Sequence, residues 1–152
     1  MLELPPYAGA RSFGYYTGEL GRVIQELKFR GRRGLAGRLA PLLAAAYAET
    51  WADGDFDLLA AVPLHPGRKR ERGYNQSELL ARALARLLDI PCRPLLDRVR
   101  ETLPQVGLPD SKRKENVRGA FRCAHGCEPA GKRILLIDAD TREVEIEVDL
   151  PA

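Results

Sequence analysis

The sequence is short of the residues that commit a chain to several common classes. It has three cysteines, one tryptophan and one methionine in 152 residues, and aromatic residues make up 7% of it. An odd, sparse set of cysteines (Cys92, Cys123, Cys127) does not make a disulfide framework, and it points to a reduced, cytoplasmic protein. No apolar run reaches the length of a bilayer crossing and no N-terminal signal pattern is present, so no membrane partner is expected. An excess of one charge is missing too. The chain carries 24 basic and 21 acidic residues, a net of +3, too mild for bulk coating of nucleic acid. No repeat or low-complexity tract appears. A single domain over residues 1–152 is expected, long enough for a real core.

What is present is pattern and clustering. The basic residues gather in 30–38, 68–72 and 112–118, and clustering rather than total charge sets the local potential that attracts an anion. Residues 1–10 read as loose and 12–16 as a short strand. Thr17 looks like the cap of a helix with Leu20, Val23, Ile24 and Leu27 on one face. After the break at Gly31 and Gly34, a second helix carries Leu35, Leu39, Leu42, Leu43, Ala46 and Tyr47. Pro41 either kinks it or marks its start. Residues 58–62 and 134–137 are apolar runs of the kind found in buried parallel strands. A strand over 93–99 and another over 120–123 flank residues 101–119, a polar stretch read as a long mobile loop with a helical turn near 112–117. Strands alternating with helices predict an α/β fold with a mostly parallel sheet flanked by helices. From residue 143 to 150 acidic and apolar residues alternate, the mark of a half-exposed strand.

The stretch after the first apolar run is the richest. The strand breaks at Pro63 and enters a loop holding Arg68, Lys69, Arg70 and Arg72, with Gly67 and Gly73 interleaved. A helix then opens at Asn75, whose spacing to Glu78 is that of a cap and its partner three residues on. Cations neutralise an anion, glycines let backbone approach it and free helix N–H groups point at it. In α/β sheets ligands collect at the carboxyl ends of strands, which makes this loop and Asp138 neighbours. His65 reads as an exposed or supporting imidazole rather than a base. Asn75 is first a helix cap, which leaves Gln76 as the better ligand contact. Cys123-Ala124-His125-Gly126-Cys127 offers three metal donors at a non-standard spacing where a zinc site usually has four, so a reduced turn is the favoured reading and no metal site is expected.

Several segments together resemble the ComF-type, phosphoribosyltransferase-like family. They are the helix running from Tyr16-Thr17-Gly18 to Lys28-Phe29, then Val62-Pro63-Leu64-His65 with Arg72-Gly73-Tyr74-Asn75-Gln76. After these come Gln105-Val106-Gly107-Leu108 with Arg113, then Asn116-Val117-Arg118-Gly119-Ala120-Phe121, and finally Leu135-Leu136-Ile137-Asp138. The match spans about residues 11–138, and 139–152 form a divergent tail. The resemblance implies a type I phosphoribosyltransferase-like fold with the C-terminal part of its core missing. It implies that the loop of residues 64–73 holds the pyrophosphate of phosphoribosyl pyrophosphate. Leu64, His65, Arg68, Lys69, Arg72 and Gln76 would line that site, Asp138 would face the ribose, and Lys112 and Arg113 would be the catalytic charges on a loop closing over the substrate. Mg²⁺ would come with the phosphoribosyl pyrophosphate.

Two departures from the family shape the expected function. Its N-terminal zinc-ribbon module is not seen before residue 11. Its phosphoribosyl-binding motif, an acidic pair followed by a Thr-Thr-Gly loop that opens a helix, is replaced after Asp138 by Ala139-Asp140-Thr141-Arg142-Glu143, as a shifted or truncated reading frame would give. Three readings follow. The first is a competence- and DNA-uptake-associated protein that keeps a pyrophosphate loop but is catalytically impaired. The second is an active Mg²⁺-dependent phosphoribosyltransferase. The third is a single-stranded DNA-binding accessory factor. The family association adds a helicase-like partner, and the acidic tail strand suggests a homodimer by edge pairing.

Overall fold

The computed structural model describes residues 7–15, 17–51, 54, 56–102, 109–139 and 143–149. In chain order the elements are β1 (Tyr7–Tyr15), α1 (Gly18–Phe29), α2 (Leu35–Thr50), β2 (Leu58–Ala61), α3 (Pro66–Arg72), α4 (Gln76–Leu88), β3 (Leu96–Arg98), α5 (Asp110–Val117), β4 (Phe121–Cys123), β5 (Ile134–Asp138) and β6 (Glu143–Asp149). None of the described helices is long and apolar enough to cross a membrane.

The centre of the molecule is the parallel pair β2 and β5, in register from Leu58 opposite Ile134 to Ala61 opposite Ile137. Helices cover it. Leu80 and Leu84 of α4 pack with Leu59, Leu135 and Ile137 and with Ile24 and Leu27 of α1 and Leu39 and Leu43 of α2, all buried. Each such side chain contributes about 2 kcal/mol by leaving water. The one-sided stripes read from the sequence therefore supply the core, except Leu42 of α2, which is exposed. Helix α2 begins at Leu35 and runs through Pro41, which is exposed and so loses its backbone donor where water can answer the carbonyl it would have bonded.

The sheet departs from the mostly parallel one expected. Its order is β1-β6-β5-β2, and both pairings made by the tail, β5 with β6 and β6 with β1, are antiparallel. Strand β6 is thus occupied on both backbone edges within the chain. It lies between β5 and β1 in the sheet. Its partner β1 starts at Tyr7, well inside the stretch read as loose. The local sequence does not specify β1; a strand more than a hundred residues later does. On the other edge of β2, among the described residues, Cys92 continues the sheet through a parallel bridge to Leu59. The strand expected over 93–99 is instead the short β3, which leaves the sheet and pairs with β4 as a separate hairpin. The long loop expected over 101–119 contains an eight-residue helix, α5; residues 103–108 lie outside the described ones.

Candidate functional site

The basic stretch after β2 is a helix rather than a loop. Pro66 stands at its first turn, His65 caps it by accepting the Gly67 N–H on Nδ1 at 3.3 Å, and Gly73 ends it at φ +79° with its N–H on Lys69 O. Proline at the start and glycine just past the end are the two residues least costly at those places. Only Gly tolerates that φ without strain, and a Cβ there would also sit 3.3 Å from the Arg33 guanidinium.

Directly after it, Asn75, Gln76 and Ser77 are buried polar residues in sequence, and each spends its side chain on a different element. Asn75 caps α4 by accepting the Ser77 N–H at 3.0 Å, and its Nδ2 donates to Val62 O at the end of β2 at 2.9 Å. Ser77 Oγ accepts the Ala139 N–H at 3.0 Å and lies 3.5 Å from Asp138 Oδ1 at the end of β5. Gln76 accepts from Arg72 of α3 through Oε1, and its Nε2 has no partner among the described residues. One tripeptide therefore ties together the two strand ends and the basic helix.

A groove of about 1130 Å³ opens beside this junction, between α3, the first turns of α4 and the β3–β4 hairpin. Ala61, Pro63, Leu64, Cys92 and Leu96 line it on the apolar side. Six cations (Lys69, Arg70, Arg82, Arg93, Arg98, Arg122) face two carboxylates (Glu78, Asp97), a net of +4 in one groove against +3 for the whole chain. The carboxylates are engaged: Glu78 bridges Lys69 at 3.3 Å and Arg82 at 2.6 Å, and Asp97 meets Arg122 at 3.7 Å. Partial burial pushes the Glu78 carboxyl up, but Lys69 and Arg82 outweigh that and hold it below the usual carboxylate value. Burial raises the Cys92 thiol on the same wall. Arg70 and Arg93 have no side-chain partner among the described residues.

Of the residues nominated from the sequence, the structure gathers Leu64, His65 and Lys69 in this groove. Leu64 lines the groove although the residue is almost wholly buried. Arg68 is half-buried on α3 outside the groove lining. Arg72 turns away, its guanidinium 5.2 Å over the Phe29 ring, and Gln76 is fully buried behind it. Asp138 is not in the groove lining; it belongs to the β5 end, beside Ser77. Lys112 is exposed on α5, and Arg113 lies on the same helix with its side chain outside the described ones. The helix is anchored at its C-terminal end by Arg100, which donates to Asn116 O and Arg118 O at 2.9 and 2.6 Å. Sequence reasoning missed Arg82, Arg93, Arg98 and Arg122. Only Arg82 left a signal, four residues after Glu78 on one helix face. Arg98 and Arg122 come from β3 and β4, and Arg93 from the segment before β3.

Among the described residues, no three His, Cys, Asp or Glu side chains are grouped to hold a metal ion. Cys123 and Cys127 flank a turn closed by the Cys127 N–H on Ala124 O, with the Cys127 thiol raised by burial and by the neighbouring Cys123 thiol.

No protein-family model matches the chain. It is similar to Competence protein F of Haemophilus influenzae, 35% identical over 130 residues that cover 82% of this chain and 57% of that protein. It is similar also to the DNA utilization protein YhgH of Salmonella typhi, 34% identical over 122 residues (78% of this chain, 54% of the relative). The protein of that name from Escherichia coli (strain K12) is 30% identical over 140 residues (88% and 60%). The chain spans little more than half the length of the curated relatives it matches.

Proposed function

We propose, from the premise that the chain belongs to the ComF-type family, that it serves competence or DNA utilization through a phosphoribosyltransferase-like half-site, one that holds pyrophosphate without completing catalysis. The observation that carries this reading is the unequal finish of the two parallel strands. At the end of β2 stand a capped basic helix and a groove of net charge +4. At the end of β5, Asp138 is followed by the antiparallel β6 from Glu143, a sequence spacing shorter than a phosphate-wrapping loop and a helix start need.

In this reading Lys69, Arg70 and Arg93 meet the pyrophosphate, and the Pro63 to His65 backbone frames it. A converging set of cations attracts a multivalent anion most strongly where, as here, apolar walls limit water. Any Mg²⁺ belongs to the polyphosphate, since the groove carboxylates are already paired with cations. Asp138 is steadied by Ser77 and faces the ribose position without the second acid and the glycine loop that would complete that grip.

Calorimetric titration with pyrophosphate and with phosphoribosyl pyrophosphate, both with Mg²⁺, tests the proposal. Pyrophosphate should bind in a salt-dependent way, weakened by Lys69→Ala and Arg93→Ala, and the full compound should bind no tighter. Much tighter binding of the full compound would favour the active transferase instead. Binding of neither would remove the groove as the site.

One observation favours a second reading, single-stranded DNA binding. Phe29 is 71% exposed under the Arg72 guanidinium, a base-stacking surface beside cations. Tyr74, also next to an arginine-rich stretch, is buried and donates its hydroxyl to Leu27 O. Salt-dependent affinity for single strands, lost on neutralising Arg70 and Arg72, would support it.

A further inference from the structure

We infer that Cys123 and Cys127 are a thiol–disulfide exchange site, in which the exposed Cys123 takes up a low-molecular-weight disulfide and Cys127 resolves it into an intrachain bridge. The inference is independent of the pyrophosphate reading of the groove.

Position makes the case. Strand β4 ends at Cys123, opposite Leu96 of β3. The chain then turns back, with the Cys127 N–H on Ala124 O at 3.1 Å and Gly126 at φ +74°, an angle that favours glycine. The Leu95 carbonyl anchors both sides of the turn. It accepts the Ala124 N–H at 2.9 Å and the Cys127 thiol at 3.5 Å. The second thiol is thereby folded back beside the first, and the two lie within hydrogen-bond reach of each other. Both rest as free thiols in a turn that is already formed, so closing the bridge does not have to order the segment.

The two sulfurs are unequal, and the inequality sets the order of events. Cys123 is exposed, so a disulfide in solution meets it first. Cys127 is partly buried against Leu58, Ala60 and Leu95, and its thiol is raised by burial and by the neighbouring Cys123. The Cys123 thiolate attacks one sulfur of the incoming disulfide. A mixed disulfide forms, the incoming S–S bond breaks, and one thiol leaves after taking up a proton. Cys123 can then no longer carry a charge, which removes one cause of the raised Cys127 value. The Cys127 thiolate attacks the Cys123 sulfur, forms the intrachain bridge and expels the second thiol. In sum two protein thiols are oxidised and one disulfide is reduced to two thiols. Cys92, on the groove wall, is partly buried with its thiol raised by burial, and it serves as an internal reference.

The test incubates the reduced chain with glutathione disulfide at neutral pH, followed by alkylation of the remaining thiols, trypsin and mass spectrometry. Cleavage after Arg122 and Lys132 releases both cysteines in one peptide, separate from Cys92. That peptide should lose its two thiol hydrogens and carry no glutathione, about tenfold faster than Cys92 is modified. Cys127→Ser should stop at a lasting glutathione adduct on Cys123. Cys123→Ser should slow modification of the remaining thiol in the peptide about tenfold. Circular dichroism follows the folding of both variants, and the result on the unmodified chain depends on neither. A lasting glutathione adduct on that peptide in the unmodified chain, no reaction there, or reaction of Cys92 first would each overturn the inference.

Discussion

Strands β2 and β5 lie side by side and parallel, yet their carboxyl ends are finished in opposite ways. Beyond β2 the chain turns into a capped helix whose cations face a groove with apolar walls, and Asn75 fixes the turn by holding both the strand end and the next helix. Beyond β5 the next element is the acidic antiparallel strand β6, and Asp138 lies 3.5 Å from Ser77 Oγ. The difference teaches where binding capacity comes from in such a fold. The sheet supplies the position, since strand ends leave backbone groups unpaired next to each other, but the connection that follows supplies the chemistry. A strand end that runs directly into another strand has spent its backbone on sheet bonds.

Four measurements would break or sharpen that comparison. The largest effect should come from Leu80→Ala, which empties the core beneath both ends. About 3 kcal/mol of stability should be lost, read by urea unfolding. Asn75→Ala should cost about 2 kcal/mol, since it removes a helix cap and leaves Val62 O without its side-chain donor. That change should also weaken pyrophosphate, because it acts on the β2 end. Ser77→Ala should cost about 1 kcal/mol and leave pyrophosphate affinity unchanged, because its partners belong to the β5 end. An equal loss of affinity in both variants would show that the two ends act as one site.

The smallest effect is a pH dependence. The Glu78 carboxyl is lowered in the folded chain, so the stability it contributes is fully present above its ordinary value of 4.5 and is lost as the pH falls through the lowered one. With Glu78 and Lys69 partly exposed, that contribution is at most about 1 kcal/mol. The stability gap between the unmodified chain and Glu78→Gln should therefore narrow in acid. A gap that widened would reverse the sign.

Much of the fold was legible because its signals are local. The leucine stripes of α1, α2 and α4 are periodic, and the Asn75 cap announces itself by spacing. The two parallel strands are uninterrupted apolar runs. Even the helical form of residues 66–72 was written in Pro66 and Gly73; the density of arginine and glycine drew the reading toward a loop. The groove was legible only on one side. Lys69 and His65 lie on the stretch singled out, whereas Arg93 enters from the segment before β3, and Arg98 and Arg122 from β3 and β4, whose exit from the sheet no local pattern marks. The roles of Arg72 and Gln76 were likewise hidden, since a side chain pointing back into the protein has the same letters as one pointing out.

The sequence by itself determined the helices, the parallel pair, the concentration of cations after β2 and the family likeness, because each depends on neighbours within a few residues or on motifs in order. Only the tertiary structure decided that β1 and the tail strand extend the sheet beyond β5, that three arginines outside the basic stretch join Lys69 around one groove, and that Glu78 sits among them as the opposing charge. The physical reason is range. Capping and periodicity act over a turn or two of chain, while sheet closure and the field inside a groove depend on residues brought together from opposite ends of it.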